Sequence, residues 1–282
     1  MALAPHPLGP TAPTATVWSG LPKQLRSAVE AACGPVLTAT EATAGRTAWR
    51  RLSLEIPGGL VFLKATPLSH RHCHTLDTEA RVAAAVRTLA PRLLYHGAAA
   101  DWRWLVFEHV QGRAADLSPG AADLGAVARV LRHLAVLPAP DAALLRVEDR
   151  WEYLGADLDL GLLAGDRLVH TDLNAGNILI RPDGTAVLVD WAWPGRGAGW
   201  LSAAFLLAQL IDAGTSPADA ENWAWQVLPD WAAAPTDAVD TFVTALTRRR
   251  AAQAATCSPA RRTEREGQLR TATAWNRFRS RS

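Results

Sequence analysis

The sequence predicts an α+β chain, with an antiparallel sheet in the N-terminal third and a mostly helical remainder. Three observations carry that reading. Between residues 36 and 108, short apolar runs alternate with turn residues such as Pro57-Gly58-Gly59. After residue 118, apolar residues recur at helical spacing, and Pro, Ser-Pro and Thr-Asp mark the ends of the runs. Inside that helical half, one stretch, 167–193 (RLVHTDLNAGNILIRPDGTAVLVDWAW), returns to short extended pieces.

The chain has 282 residues, 49% hydrophobic and 20% charged, enough for two small lobes or one large domain. No apolar run is long enough to span a membrane. The first sixteen residues, rich in Pro, Ala and Thr, lack a basic segment followed by an apolar one. They are expected to be a disordered leader and not a secretory signal. Cys33, Cys73 and Cys257 are far apart and form no framework, so reduced thiols in a cytoplasmic protein are expected.

The net charge of +2 hides an asymmetry. Residues 248–282 hold ten arginines and two glutamates, whereas residues 150–247 hold thirteen acids and four arginines. An acidic half favours a cationic or neutral substrate there, unless the acids only solvate helix faces and caps.

In chain order, Leu21, Leu25, Val29 and Ala32 fall at helical spacing and Cys33-Gly34-Pro35 ends the run. Strands are predicted over Val36–Thr40, over Ala48–Ile56 with Trp49, Leu52, Leu54 and Ile56 on one side, and over Leu60–Ala65. The run Ser69–Cys73 and His74 reads as a polar loop. A helix over 75–90 follows, with Thr75 as N-cap and Asp77 and Glu79 in its first turns, where the helix dipole favours acids. Leu93–His96 and Arg103–Glu108 complete five strands. The break at 108–112 divides an N-terminal lobe, 17–110, from a C-terminal lobe, 111–282. Helices are predicted over 118–137, 199–213, 217–228, 236–255 and 260–278. The last is basic and is read as a solvated tail, with no nucleic-acid partner expected.

The chemistry concentrates in 167–193, read as one hairpin. It presents three oxygen-bearing side chains, Asp172, Asn177 and Asp190, from its polar ends, an arrangement suited to holding Mg²⁺ and aiming a hydroxyl at a phosphate. Lys64 is one of only two lysines beside 27 arginines, and it lies inside an apolar strand. A slim point charge on a flexible stem suits a phosphate contact.

His170, Asp172 and Asn177, spaced H-x-D-x-x-x-x-N, followed by Asp190 at a strand end, resemble the catalytic and metal-binding set of the protein-kinase-like fold. With Trp191-Ala192 after Asp190 and no room for an activation segment, the chain resembles the aminoglycoside phosphotransferase family over roughly residues 36–250. The resemblance implies a bilobal fold, an antiparallel-sheet N-lobe and a mostly helical C-lobe. It implies that Asp172 orients the acceptor hydroxyl and that Asn177 and Asp190 hold Mg²⁺. It implies that Lys64 contacts the phosphates of ATP or GTP and that Glu79 holds Lys64. Gly45 would belong to a reduced phosphate-covering turn, and Glu108–Val110 to the segment that contacts the purine.

Thr171 stands where the family more often has glycine, and Ser202-Ala203-Ala204 where it commonly has an aspartate context. These departures leave the acceptor open: an aminoglycoside-like amino sugar, or a metabolite alcohol such as homoserine or choline. Trp191 and Trp193 are candidates to line its pocket. The alternative function is a kinase-like protein that binds nucleotide or a partner without catalysis. Oligomeric state is not legible from the residues.

Overall fold

A computed structural model describes residues 15–42, 48–140 and 144–281. The predicted leader through residue 14 and the turn 43–47, including Gly45, lie outside the described residues. The chain forms two compact units: residues up to Ala80 together with Pro91–His109, and Arg81–Ala90 together with the chain from Val110 onward.

In the first unit, helices α1 (Ala15–Ser19) and α2 (Lys23–Cys33) are separated by Pro22, and α2 buries Leu25 and Val29. The strands are β1 (Thr38–Glu41), β2 (Arg50–Ile56) and β3 (Gly59–Pro67); then, after helix α3 (His74–Val82), β4 (Leu93–Ala99) and β5 (Trp102–Glu108). They form one antiparallel sheet in the order β1-β2-β3-β5-β4, with β3 at its centre. Leu52 and Leu54 are fully buried, as their alternation predicts. Trp49 does not join them. It precedes β2, where the two-residue period no longer governs its side, and lies 54% exposed, edge-on to His70 at 5.5 Å. Helix α3 is shorter than predicted. It stops at Val82, and 83–90 continues as turns whose Val86 and Leu89 are buried in the second unit's core. Thr75 lies inside its first turn, and its hydroxyl donates to the His72 carbonyl at 2.8 Å instead of capping an N–H.

The second unit adds β6 (Arg113–Ala114), α4 (Leu124–Ala135), α5 (Val147–Trp151), β7 (Arg167–His170), β8 (Ile178–Ile180), β9 (Ala186–Leu188) and β10 (Pro194–Gly197). Helices α6 (Leu201–Asp212), α7 (Pro217–Val227), α8 (Pro229–Ala232), α9 (Thr236–Thr256) and α10 (Arg262–Arg279) follow. Helix α4 begins later than predicted because the preceding turn is held elsewhere. The Asp123 carboxylate takes both the Arg113 guanidinium and the Asp116 N–H.

The stretch 167–193 is not one hairpin. β7 pairs antiparallel with β10, and β8 pairs with β9 and β6, so two small sheets share the chain between them. The partner of β7 was invisible in the sequence, where Pro194-Gly195 reads as a loop. It can approach because it is glycine-rich. A Cβ on Gly195 would sit 3.0 Å from Val147 Cγ2 and 3.1 Å from Thr171 Cγ2.

Helix α6 is buried almost all round. Its Phe205 joins Trp151, Phe242 and Trp275 in one aromatic cluster, with Phe242 5.2 Å from both Trp151 and Phe205. The basic C-terminus is not a solvated tail. In α10, Trp275 is fully buried, and the arginines neutralise acids upstream: Arg248 pairs with Asp157, Arg250 with Asp212, and Arg279 with Glu221 and Asp240. The charge asymmetry of the sequence is therefore cancelled in part within the fold. Among the described residues no helix is long and apolar enough to cross a membrane.

The Arg250–Asp212 pair is bidentate at 2.9 and 2.7 Å, and Arg250 also donates to the Gln268 carbonyl at 2.8 Å. Arg250→Met leaves Asp212 with Thr271 alone among these partners. An expected loss on the order of 3 kcal/mol follows for a buried charge stripped of its partner. Denaturant midpoints of the variant and wild type measure it, and a loss below about 1 kcal/mol contradicts it.

Candidate active site

The first unit contributes one buried ion pair. Lys64 lies on the central strand β3, between Arg51 of β2 and Leu105 of β5, and Glu79 lies on α3. Lys64 Nζ donates to both Glu79 oxygens, at 2.8 and 2.9 Å, and lies 5.9 Å from the Phe107 ring centroid. Lys64 is 6% and Glu79 4% exposed, so each charge depends on the other for solvation. The helix seats Glu79 there because Leu76, one turn earlier, is buried with Leu105 and Phe107. Glu108 ends β5, with its N–H on the Arg92 carbonyl at 2.9 Å, and Val110 opens the second unit's main segment.

In the second unit, the predicted residues converge on His170. This side chain is 2% exposed. Its Nδ1 accepts the Asp172 N–H at 3.4 Å, so the Nε2 proton faces the Val189 carbonyl, 3.0 Å away. One imidazole thus ties the loop after β7 to the residue before Asp190. The Trp191 ring lies 4.5 Å from it, and Trp191 Nε1 donates to the Leu188 carbonyl at 3.2 Å. Trp191 is therefore core, 3% exposed, and not the pocket lining that the sequence allowed. The His170 N–H donates to Ser202 Oγ at 3.2 Å. Ser202, read in the sequence only as a missing acid, is a buried brace.

The loop after β7 is shaped by its asparagines. Asn174 Oδ1 accepts the Gly176 N–H at 2.9 Å, forming the turn that seats Asn177. Asn177 is buried, and its Nδ2 donates to the Asp172 carbonyl at 2.8 Å and to Asp172 Oδ2 at 3.4 Å. Its Oδ1 has no protein donor among the described residues. Backbone pairing of Val189 N–H with the Asn177 carbonyl, at 2.9 Å, binds this loop to the approach to Asp190. Asp190 itself has φ of 63°, a left-handed conformation that a non-glycine residue adopts at a cost of about 1 kcal/mol. Asp172, in contrast, is exposed.

Asn177 and Asp190 are the side chains expected from the sequence to hold a metal. Among the described residues no group of three or more His, Cys, Asp or Glu side chains is arranged to do so. One carboxylate and one amide oxygen suit a hard cation that keeps water and phosphate oxygens in its remaining positions. Sequence reasoning missed Arg150. Its guanidinium donates to Thr171 Oγ1 at 2.5 Å, to the Trp193 carbonyl at 3.2 Å and to the Pro194 carbonyl at 3.1 Å. Thr171 Oγ1 in turn donates to the Trp193 carbonyl. Thr171 in place of glycine is thus a tie between the two loops. Its partner 21 residues upstream left no signal in the sequence.

Burial holds the His170 pKa below its ordinary 6.5. Unfolded chains take up a proton there that folded ones refuse. The contribution is complete above about pH 6.5 and is lost as pH falls below it, by up to about 1.4 kcal/mol per pH unit. Thermal midpoints should drop on the acid side of 6.5 in the wild type, with a shallower slope in His170→Gln. Equal slopes contradict the assignment.

No family model matches the chain, and no curated protein matches it by sequence. Solved structures do. A thermostable mutant of aminoglycoside phosphotransferase APH(4)-Ia, in ternary complex with ADP and hygromycin B, superposes with TM-score 0.61 at 13% identity, over 90% of this chain and 98% of that one. An aminoglycoside phosphotransferase from Alicyclobacillus acidocaldarius gives 0.60 at 14% identity, over 98% and 97%. Choline kinase LicA from Streptococcus pneumoniae gives 0.61 at 12% identity, over 89% and 98%. The chain has the α+β, protein-kinase-like fold in the form found in aminoglycoside phosphotransferases and choline kinase.

Proposed function

We propose that the protein is a small-molecule kinase that transfers the γ-phosphoryl group of ATP or GTP to an alcohol. The observation that carries this reading is the His170 bridge, which holds the Asp172 loop and the Asp190 turn together in a fold shared with small-molecule kinases. Asp172 accepts a hydrogen bond from the acceptor hydroxyl and orients it. The hydroxyl oxygen bonds to the γ-phosphorus, the bond from that phosphorus to the β–γ bridging oxygen breaks, and the hydroxyl proton passes to the Asp172 carboxylate. Lys64, held by Glu79, contacts the nucleotide phosphates. Gly45 is assigned to the phosphate-covering turn, and Glu108 and Val110 to the segment that meets the purine.

Asn177 Oδ1 and the Asp190 carboxylate would hold Mg²⁺. The donor set fits, since the amide nitrogen of Asn177 is committed to Asp172 and its oxygen is left for a cation. When bound, the metal neutralises phosphate charge. The three cysteines are unpaired, which fits the reducing cytoplasm. Four of the acids that suggested a cationic acceptor, Asp157, Asp212, Glu221 and Asp240, are instead paired with C-terminal arginines.

The test is Mg²⁺-dependent thermal stabilisation by ATP and by GTP, followed by turnover on a panel of hydroxylated acceptors. Asp172→Ala should keep the nucleotide-induced shift and lose on the order of 10²–10⁴-fold in kcat. Asp190→Ala should abolish the metal-dependent part of the shift. Nucleotide binding without turnover on any acceptor would leave a non-catalytic nucleotide-binding protein.

A further inference from the structure

Two guanidiniums in the second unit lie on the side of Asp172, Arg150 through its bond to Thr171 and Arg249 through its electrostatic interaction with Asp172, and neither has a carboxylate pair like those of Arg248 and Arg250. Arg150, at the end of α5, is partly buried, and its donated bonds go only to a hydroxyl and two carbonyls. Its Nε is buried without a partner. Arg249, on α9, is partly buried beside Trp151, with its guanidinium carbon 6.0 Å from the ring centroid, and lies near Tyr153. Neither forms an ion pair with a carboxylate among the described residues. Their neighbours on the same helix do: Arg248 has Asp157 and Arg250 has Asp212.

The two cations also feel each other. Burial and the nearby Arg249 hold the Arg150 pKa down, to about 10. Burial likewise lowers that of Arg249, while the Asp172 carboxylate pulls the other way. Counting Asp172, the cluster keeps one net positive charge. Two partly buried like charges without a matching anion are unfavourable unless something else supplies one. Arg250, the buried arginine of the same helix, is matched by Asp212, whereas these two guanidiniums beside the proposed acceptor-orienting carboxylate keep charge that an anionic ligand would balance.

We infer that the acceptor alcohol is itself an anion, a hydroxyl-bearing carboxylate or phosphate ester, and that Arg249 binds its charged group while its hydroxyl lies at Asp172. Arg150 is the positioning residue. It ties Thr171 to the Trp193–Pro194 backbone and adds positive potential without leaving its structural bonds. Arg249 is the better anchor because its neighbours, Tyr153 and the Trp151 face, leave guanidinium donors unused. Tyr153 is 68% exposed, so this side of the cluster is open to solute. This inference rests on the kinase reading only for the role of the hydroxyl; the anion site stands on the arginines alone.

The test is calorimetric binding to the full chain with saturating Mg²⁺-ADP, using glycerate and glycerol 3-phosphate as anionic probes, glycerol as neutral and choline as cationic. The anions should bind at least about tenfold more tightly than glycerol, the worth of one charge-assisted contact. Arg249→Gln should erase that preference, Arg249→Lys should retain part of it, and Arg248→Gln, which removes an exposed pair on the same helix, should leave it intact. Equal binding of all probes, preference for choline, or an anion preference that survives Arg249→Gln overturns the inference.

A weakened ATP affinity in Arg249→Gln with unchanged probe preference also overturns it, assigning the guanidinium to the donor's phosphates. Phosphoryl transfer is read separately on the same probes. Transfer to choline alone sinks the inference and leaves the kinase reading standing. Arg249-dependent anion binding with no nucleotide binding upholds the anion site and sinks the kinase reading.

Discussion

The hydrogen bonds of His170 are the constraint on which the second unit's chemistry depends. An imidazole can accept at one nitrogen and donate at the other, and here each nitrogen serves a different loop. The Asp172 N–H fixes the tautomer, and the Val189 carbonyl takes the remaining proton. A protonated ring would lose the first bond, so burial that keeps it neutral also keeps the bridge intact. The bridge is built into the core. Trp191 packs on the ring, and Ser202 of α6 holds the backbone behind it. Any movement of α6 or of the Trp191 turn would therefore be felt at Asp172.

Around that bridge, the two small sheets divide the work. β7 and β10 carry Thr171 and the Trp193–Pro194 backbone, tied by Arg150, while β8 and β9 carry Asn177 and lead to Asp190. The left-handed backbone at Asp190 is tolerated because both flanks are fixed, Val189 by His170 and by Asn177, and Trp191 by the Leu188 carbonyl. Its position is over-determined by neighbours, as a residue in a sparsely populated conformation requires. The first unit shows the same economy in a simpler form, with one lysine and one glutamate removed from water and bonded through both carboxylate oxygens.

The arginines of this chain take two kinds of role. Three of those on α9 and α10, Arg248, Arg250 and Arg279, neutralise acids that the sequence places far upstream. Arg150 and Arg249 depart from that pattern, and they do so next to Asp172. Four acids of 150–247 are paired with C-terminal arginines inside the fold, and the guanidiniums of Arg150 and Arg249 lie on the side of Asp172.

Local chemistry determined much of this protein in the sequence. Two-residue alternation identified the strands around Leu52 and Leu54. The spacing of His170, Asp172 and Asn177, with Asp190 at a strand end, marked the candidate stretch, because a strand–loop–strand segment brings such residues together with little help from elsewhere. A lysine in an apolar strand and a glutamate on the next helix were legible for the same reason, since fifteen residues suffice to return one to the other. The tertiary structure alone decided that β7 pairs with β10, that Ser202 and Arg150 brace the loops, that Trp191 is core, and that the basic C-terminus is a structural partner of the acidic half. Each of those depends on contacts between residues far apart in the chain. Periodicity, caps and turns report only on neighbours, and a guanidinium's partner is set by how helices pack.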